Sequence, residues 1–267
     1  MKKKHVAVAI MVILFSLNII CSSVFGDANG QDERIPVLLI HGYASDASVW
    51  GEWEKMLKKD SINVTAVTFN GNDRCGDSES HAHELREIVN EFKAKTGADK
   101  INIVSHSKGG LDARVYLAGD PSNDDIANLI MIGTPNLGSL LAFGSLAYPP
   151  MIYPYLRDFI CRPAVYDLIP GSAATQAAEN ENTNYYTIAG SWKPYPYFNI
   201  FAPLFDPKCP QSSWLPFERW AGDFVISGAD DGIVPLWSAA PTGIKNLGIT
   251  TNCHTNLFGE EEYVKGR

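Results

Sequence analysis

The sequence predicts an α/β fold with a mostly parallel central sheet flanked by helices, and three observations predict it. Short apolar runs alternate four times with segments of helical periodicity, through short links. Turn formers, not long polar spacers, separate them. The polar residues of interest fall just past the apolar runs, where α/β sheets gather their functional groups.

Taken in order, "RIPVLLIHGY" reads as a buried strand over Val37–Ile40 that ends in a glycine turn. "SDASVWGEWEKMLKKD" then places Val49, Trp53, Met56 and Leu57 on one helical face, with Ser45 or Asp46 as the cap. "INVTAVTF" is a second strand and "NGNDRCGDS" a loop. Ala82, Leu85, Ile88, Val89 and Phe92 repeat at helical spacing, and Gly97 ends that helix. "KINIVSH" is a third strand. "KGGLDARVYLAG" is a helix closed by Gly119 and Pro121, and "ANLIMIGTP" is a fourth strand. Beyond Pro135 the rhythm stops. Residues 136–184 and 191–221 are proline- and aromatic-rich and read as insertions over the crevice. "YYTIAG" and "DFVISGADDGIVP" return to the sheet.

A positive head, "MKKK", an apolar middle and small residues up to Gly26 have the build of a secretory signal, residues 1–26, leaving 27–267 as one domain. A retained membrane anchor is the alternative. Loss of Lys2, Lys3 and Lys4 takes the formal charge from −8 to −11. So acidic a chain is a poor nucleic-acid binder. Four cysteines remain without Cys21, an even count that favours disulfides in an exported protein. They allow three pairings. The expectation adopted is Cys161 with Cys209, leaving Cys75 with Cys253.

The chemistry centres on "INIVSHSKGG". An apolar strand stops at Ser107 amid small residues, as in the nucleophile elbow G-x-S-x-G, with Ser105 in place of the first glycine. Gly109 would lie under the turn and Ser105 would face the following helix. A serine hydroxyl needs a base, and the base an orienting carboxylate. The one histidine after Ser107 is His254. The acid is Asp231, with Asp230 in reserve. Two backbone N–H groups, of Tyr43 after His41-Gly42 and of Lys108 after the serine, are candidates for an oxyanion hole. The Lys108 side chain is expected at the surface, and those of Asp112 and Arg114 on the helix surface or in structural ion pairs. His41 and His106 read as structural, and His81 and His83 as a solvated helix start.

"LLIHGY", "VSHSKGGLDAR", "IGTPNLGS", "ADDGIVPLWSA" and "CHTNLFG" together resemble bacterial secreted lipases and esterases of the α/β-hydrolase superfamily. The resemblance implies an α/β-hydrolase fold with lid or cap insertions, the lid within 136–184. It implies Ser107, Asp231 and His254 as catalytic residues and Tyr43 and Lys108 as oxyanion donors. It further implies carboxylic-ester hydrolysis, a small-molecule or lipid ester as substrate, and work at a lipid–water interface. No cofactor is expected. Calcium aids some lipases of this kind, but no coordination loop is readable here. An acyltransferase, a thioesterase or a non-catalytic binding module are the alternatives. Tyr148, Tyr153, Tyr155, Tyr195, Tyr197, Phe198, Phe201 and Phe205 are candidates for an acyl pocket. Nothing in the sequence speaks to the oligomeric state.

Overall fold

The computed structural model describes residues 34–142, 161–191 and 229–257. The signal segment, the candidate acyl-pocket aromatics, "FVIS", residues 143–160 of the first insertion and 192–221 of the second lie outside these residues. Six described strands form one sheet: β1 (Val37–Ile40), β2 (Val64–Ala66), β3 (Ile101–His106), β4 (Ile126–Ile132), β5 (Asn184–Gly190) and β6 (Lys245–Thr250). Their order is β2-β1-β3-β4-β5-β6 and every pairing is parallel. Each crossover therefore needs a connection over a sheet face. The strand order reverses beside β1, so the crevice between β1 and β3 is the topological switch point, where such sheets bind ligands.

Three longer helices cover the faces: α1 (Gly51–Lys59), α2 (Ser78–Thr96) and α3 (Lys108–Ala118). Alternation along the strands divides the core in two. Leu38, Ile40, Ile103, Leu129 and Met131 pack with Leu85, Val89 and Phe92 of α2 and with Tyr116 and Leu117 of α3. Val37, Leu39, Val104, Ile130 and Ile132 pack on the other face with Trp50, Trp53 and Leu57. The helix ends follow the local chemistry. Asp46 caps the 3₁₀ turn Ala47–Trp50 ahead of α1, and Asp77 accepts from the Ser80 N–H at the start of α2. Gly97, at φ 73°, closes α2 in the left-handed region that favours glycine.

Two short helices, α4 (Arg162–Asp167) and α5 (Leu236–Ala239), and the edge strand β6 carry no strong periodicity in the sequence. β6 is half exposed and has Lys245, Asn246 and Gly248 among its residues, so it lacks the apolar run that marks a buried strand.

The cysteine pairing differs from the sequence-based expectation. Cys75 is bonded to Cys161, with Cα atoms 4.6 Å apart, and Cys253 is also disulfide-bonded. The reason is local. The Ser78 N–H donates to Asp167 Oδ2 at 2.6 Å, which draws α4 onto the start of α2 and brings Cys161, just ahead of α4, beside Cys75.

Leu85 is fully buried between α2 and the sheet. Leu85→Ala is expected to lower stability by about 2–5 kcal/mol without changing the fold, read as a shift of the urea midpoint at constant slope.

Candidate active site

Strand β3 ends at His106, and α3 starts at Lys108, so a single residue makes the turn. That residue, Ser107, has φ 52° and ψ −128°. A non-glycine residue at positive φ is strained by roughly 1–3 kcal/mol, and such strain gathers at functional sites. Space for the turn comes from small neighbours. A Cβ on Gly109 would overlap the His41 carbonyl oxygen, and one on Gly42 would lie 2.8 Å from Ser107 Cβ. Ser105 is fully buried, and its hydroxyl donates to the Ile130 carbonyl of β4 at 3.3 Å.

The structure brings three of the expected side chains into one hydrogen-bonded series. Ser107 Oγ lies 2.7 Å from His254 Nε2, and His254 Nδ1 lies 2.8 Å from Asp231 Oδ2. A carboxylate only accepts, so Nδ1 carries the proton and Nε2 accepts from the serine hydroxyl. The other Asp231 oxygen accepts from the N–H groups of Ile233 (3.0 Å) and Val234 (2.7 Å). The Asp231 carbonyl accepts from the His254 N–H at 2.9 Å, so the two loops are tied through backbone as well. Asp230 is engaged differently: its carboxylate caps the Gly232 N–H at 2.6 Å.

Glycines clear room for these groups. A Cβ on Gly190, at the end of β5, would lie 2.5 Å from Asp231 Cβ. One on Gly133, after β4, would lie 3.3 Å from His254 Nδ1. Neither glycine figured in the sequence reading, although each directly follows an apolar run.

Around the serine the remaining histidines are structural, as expected for His41 and His106. His106 is buried and its Nε2 donates to the His254 carbonyl at 3.0 Å. His41 Nδ1 donates to the Gly42 carbonyl at 3.0 Å. Burial lowers the pKa of His41 and holds that of His106 well below 6.5, the neighbouring His254 adding to the second effect.

Three expectations need correction, while Asp112 meets the ion-pair alternative given for it. Lys108 is not at the surface: its ammonium is buried, 2.6 Å from Asp112 and 3.6 Å from Asp167. Asp112 is buried too, paired with Lys108 and with His81 Nδ1 at 2.9 Å. Arg114 is buried and donates to the carbonyls of Asn136 (3.1 Å) and Ala177 (2.8 Å), without an ion pair in those contacts. His81 is buried against Phe69, while His83 stays exposed. The alkyl stem of a lysine and the ring of a histidine tolerate burial once their polar ends are paired. Among the described residues no group of three or more His, Cys, Asp or Glu side chains is arranged to hold a metal ion. No described helix is long and apolar enough to cross a membrane.

A parallel sheet with a serine at the strand–helix turn, followed in sequence by its aspartate and then its histidine, defines an α/β-hydrolase. Residues 36–194 match the model of the palmitoyl protein thioesterase family, and the chain belongs to that family. It is similar to triacylglycerol lipases of Pseudarthrobacter phenanthrenivorans and Burkholderia plantarii, 30% identical over 115 residues in each. Those alignments take in 41% of this chain but only 35% and 32% of the relatives, so the chain matches about a third of their length. A Vibrio cholerae triacylglycerol lipase is 26% identical over 92% of this chain and 84% of its own. Among solved structures, the mature form of a Bacillus licheniformis lipase shares the fold at a TM-score of 0.64, with 22% identity over 86% of this chain and 89% of its own.

His106 also sets a pH dependence. Its pKa is lower folded than unfolded, so its contribution to stability is complete above about pH 6.5 and is lost as pH falls below that value, where the unfolded chain takes up the proton first. The stability advantage of the wild type over His106→Gln is expected to shrink from pH 7.5 to pH 5, by at most about 1.4 kcal/mol per pH unit. Urea titrations of both proteins across that range measure it.

Proposed function

We propose that this chain is a serine hydrolase that cleaves carboxylic esters, with lipid esters as substrates. The observation that carries the reading is His254, held between Ser107 Oγ at 2.7 Å and Asp231 Oδ2 at 2.8 Å. Ser107 is the nucleophile, His254 the base and Asp231 its orienting acid. As Oγ attacks the ester carbonyl, its proton passes to His254 Nε2. Asp231 stabilises the imidazolium without taking the proton. The N–H groups of Tyr43 and Lys108 bind the oxyanion that develops on the carbonyl oxygen. Collapse of the tetrahedral intermediate expels the alcohol, which leaves with the proton from His254. Water then attacks the acyl-enzyme by the same route.

The lipase relatives and the lipase-like fold support lipid esters, presented at a lipid–water interface, as the substrate class. The Cys75–Cys161 disulfide supports an exported protein. The family match favours a second reading, in which the same groups cleave an acyl thioester. A thiolate is the better leaving group, and such a substrate would depend less on protonation by His254.

Ser107→Ala is expected to remove both turnover of nitrophenyl esters and labelling by a fluorophosphonate while leaving the circular dichroism spectrum unchanged. Wild-type turnover in this variant would show that another residue is the nucleophile. Asp231→Asn is expected to lower kcat by on the order of 10³- to 10⁴-fold, by analogy with loss of the acid in serine proteases, and Asp230→Asn by far less. Matched acyl esters and acyl thioesters of graded chain length decide between the two substrate readings: the class with the higher kcat/KM is the one the site serves.

A further inference from the structure

The buried charges behind α3 belong to no step of the proposed chemistry, yet they reach both proposed oxyanion donors. The Asp112 carboxylate is their centre. Its Oδ1 accepts from Lys108 Nζ at 2.6 Å and from Ser78 Oγ at 2.6 Å, and its Oδ2 accepts from His81 Nδ1 at 2.9 Å. Burial alone would push its pKa up, but Lys108 and His81 outweigh that and hold it below 3.8, so the group is ionised at neutral pH. Charge-assisted bonds of this kind are short and directional.

One branch ends at the first donor. Lys108 is the first residue of α3, and its side chain folds back to Asp112 one turn further on. Held at both ends, the first turn of α3 cannot rotate without pulling an ammonium away from its carboxylate. The Lys108 N–H belongs to that turn.

The other branch runs through rings to the second donor. His81 lies flat on Phe69, with centroids 3.7 Å apart and planes at 1°. The Phe69 ring meets His41 edge-on, at 5.4 Å and 78°. His41 Nδ1 donates to the carbonyl of Gly42, at 3.0 Å. In a trans peptide the C=O and the following N–H point in opposite directions. Turning the Gly42 carbonyl towards His41 therefore turns the Tyr43 N–H away from it, on a loop packed against Ser107.

We propose that Asp112 is a positioning residue that aims both oxyanion-hole donors, Lys108 N–H through its own side chain and Tyr43 N–H through His81, Phe69 and His41. This rests on the serine-hydrolase reading above. It touches neither substrate nor nucleophile, and its effect falls on the transition state more than on ester binding, because the oxyanion forms only after attack.

The test measures kcat per fluorophosphonate-titrated serine, and KM, for a short nitrophenyl ester with the full chain. Asp112→Asn keeps the shape and removes the charge. It is expected to lower kcat per titrated site by about 10- to 100-fold, with KM changed less than about twofold, since a misaimed donor costs less than a deleted one. Phe69→Leu breaks only the ring branch and is expected to lower kcat several-fold in the same pattern; it decides the matter should Asp112→Asn not fold. Leu85→Ala, destabilised but remote from the donors, is expected to keep wild-type kcat per titrated site. Wild-type kcat per site in Asp112→Asn or Phe69→Leu, or a rise in KM alone, would overturn the proposal. So would an equal loss in Leu85→Ala, which would mark the effect as general loosening. A wild-type protein that neither turns over the ester nor takes the label would bring down the functional reading, and this proposal with it.

Discussion

A serine at φ 52° persists only where its surroundings leave it no cheaper conformation, and most of the described structure serves that constraint. The strand before it is locked on both sides, by β1 and by β4. The helix after it starts at once, with Gly109 against the backbone of His41 and Gly110 against Thr134. Relaxing the turn would mean sliding α3 along the sheet, out of the packing made by Tyr116 and Leu117. A cost of roughly 1–3 kcal/mol at one residue is small beside the apolar surface that such a slide would expose. The sheet itself keeps Ser107 out in front of the crevice.

The same economy explains the two loops that bring Asp231 and His254 to Ser107. Both follow β5 in the chain, and each has a glycine opposite it where any side chain would intrude. Gly190 stands against Asp231, and Gly133 against His254. The loops then bind each other, through the His254 N–H on the Asp231 carbonyl as well as through the side chains. Imidazole and carboxylate thus arrive as one unit. The 2.7 Å contact to Ser107 joins that unit to the elbow, as do the His106 bond to the His254 carbonyl and the contact between those two rings.

Much of this was legible in the sequence because it rests on local pattern. The apolar runs of β1, β3, β4 and β5 and the helical spacing through Phe92 mark a parallel sheet without any knowledge of contacts. The serine, the later aspartate and the last histidine follow from their order and from the glycine-rich turns beside them. What the sequence hid depends on partners far along the chain. Lys108 reads as a surface residue because nothing near it announces Asp167, and His81 reads as solvated because Phe69 lies in another segment. The cysteine pairing was hidden for the same reason. It follows from the bond between Ser78 and Asp167, 89 residues apart. β6 was hidden by its composition, since an edge strand needs only one neighbour and little apolar surface.

The hidden contacts of Lys108 and of the cysteines share an element. Asp167 ends α4, and α4 begins beside Cys161. At one end a covalent bond to Cys75 ties the helix to the loop before α2. At the other, Asp167 receives the Ser78 N–H and faces the Lys108 ammonium at 3.6 Å. Burial raises the Asp167 pKa, and Lys108 and Ser78 counter that rise. A short helix with little core of its own, Ala164 and Val165 being its buried residues, is thereby fixed to the first turn of α3 by charge and covalency instead of by apolar area. Small apolar clusters are weak anchors, and a disulfide that closes a long loop adds stability chiefly by restricting the unfolded chain. The chain thus registers a segment within its first insertion against the residue whose N–H faces the reacting carbonyl in the proposed mechanism, and it does so through bonds that tolerate little displacement.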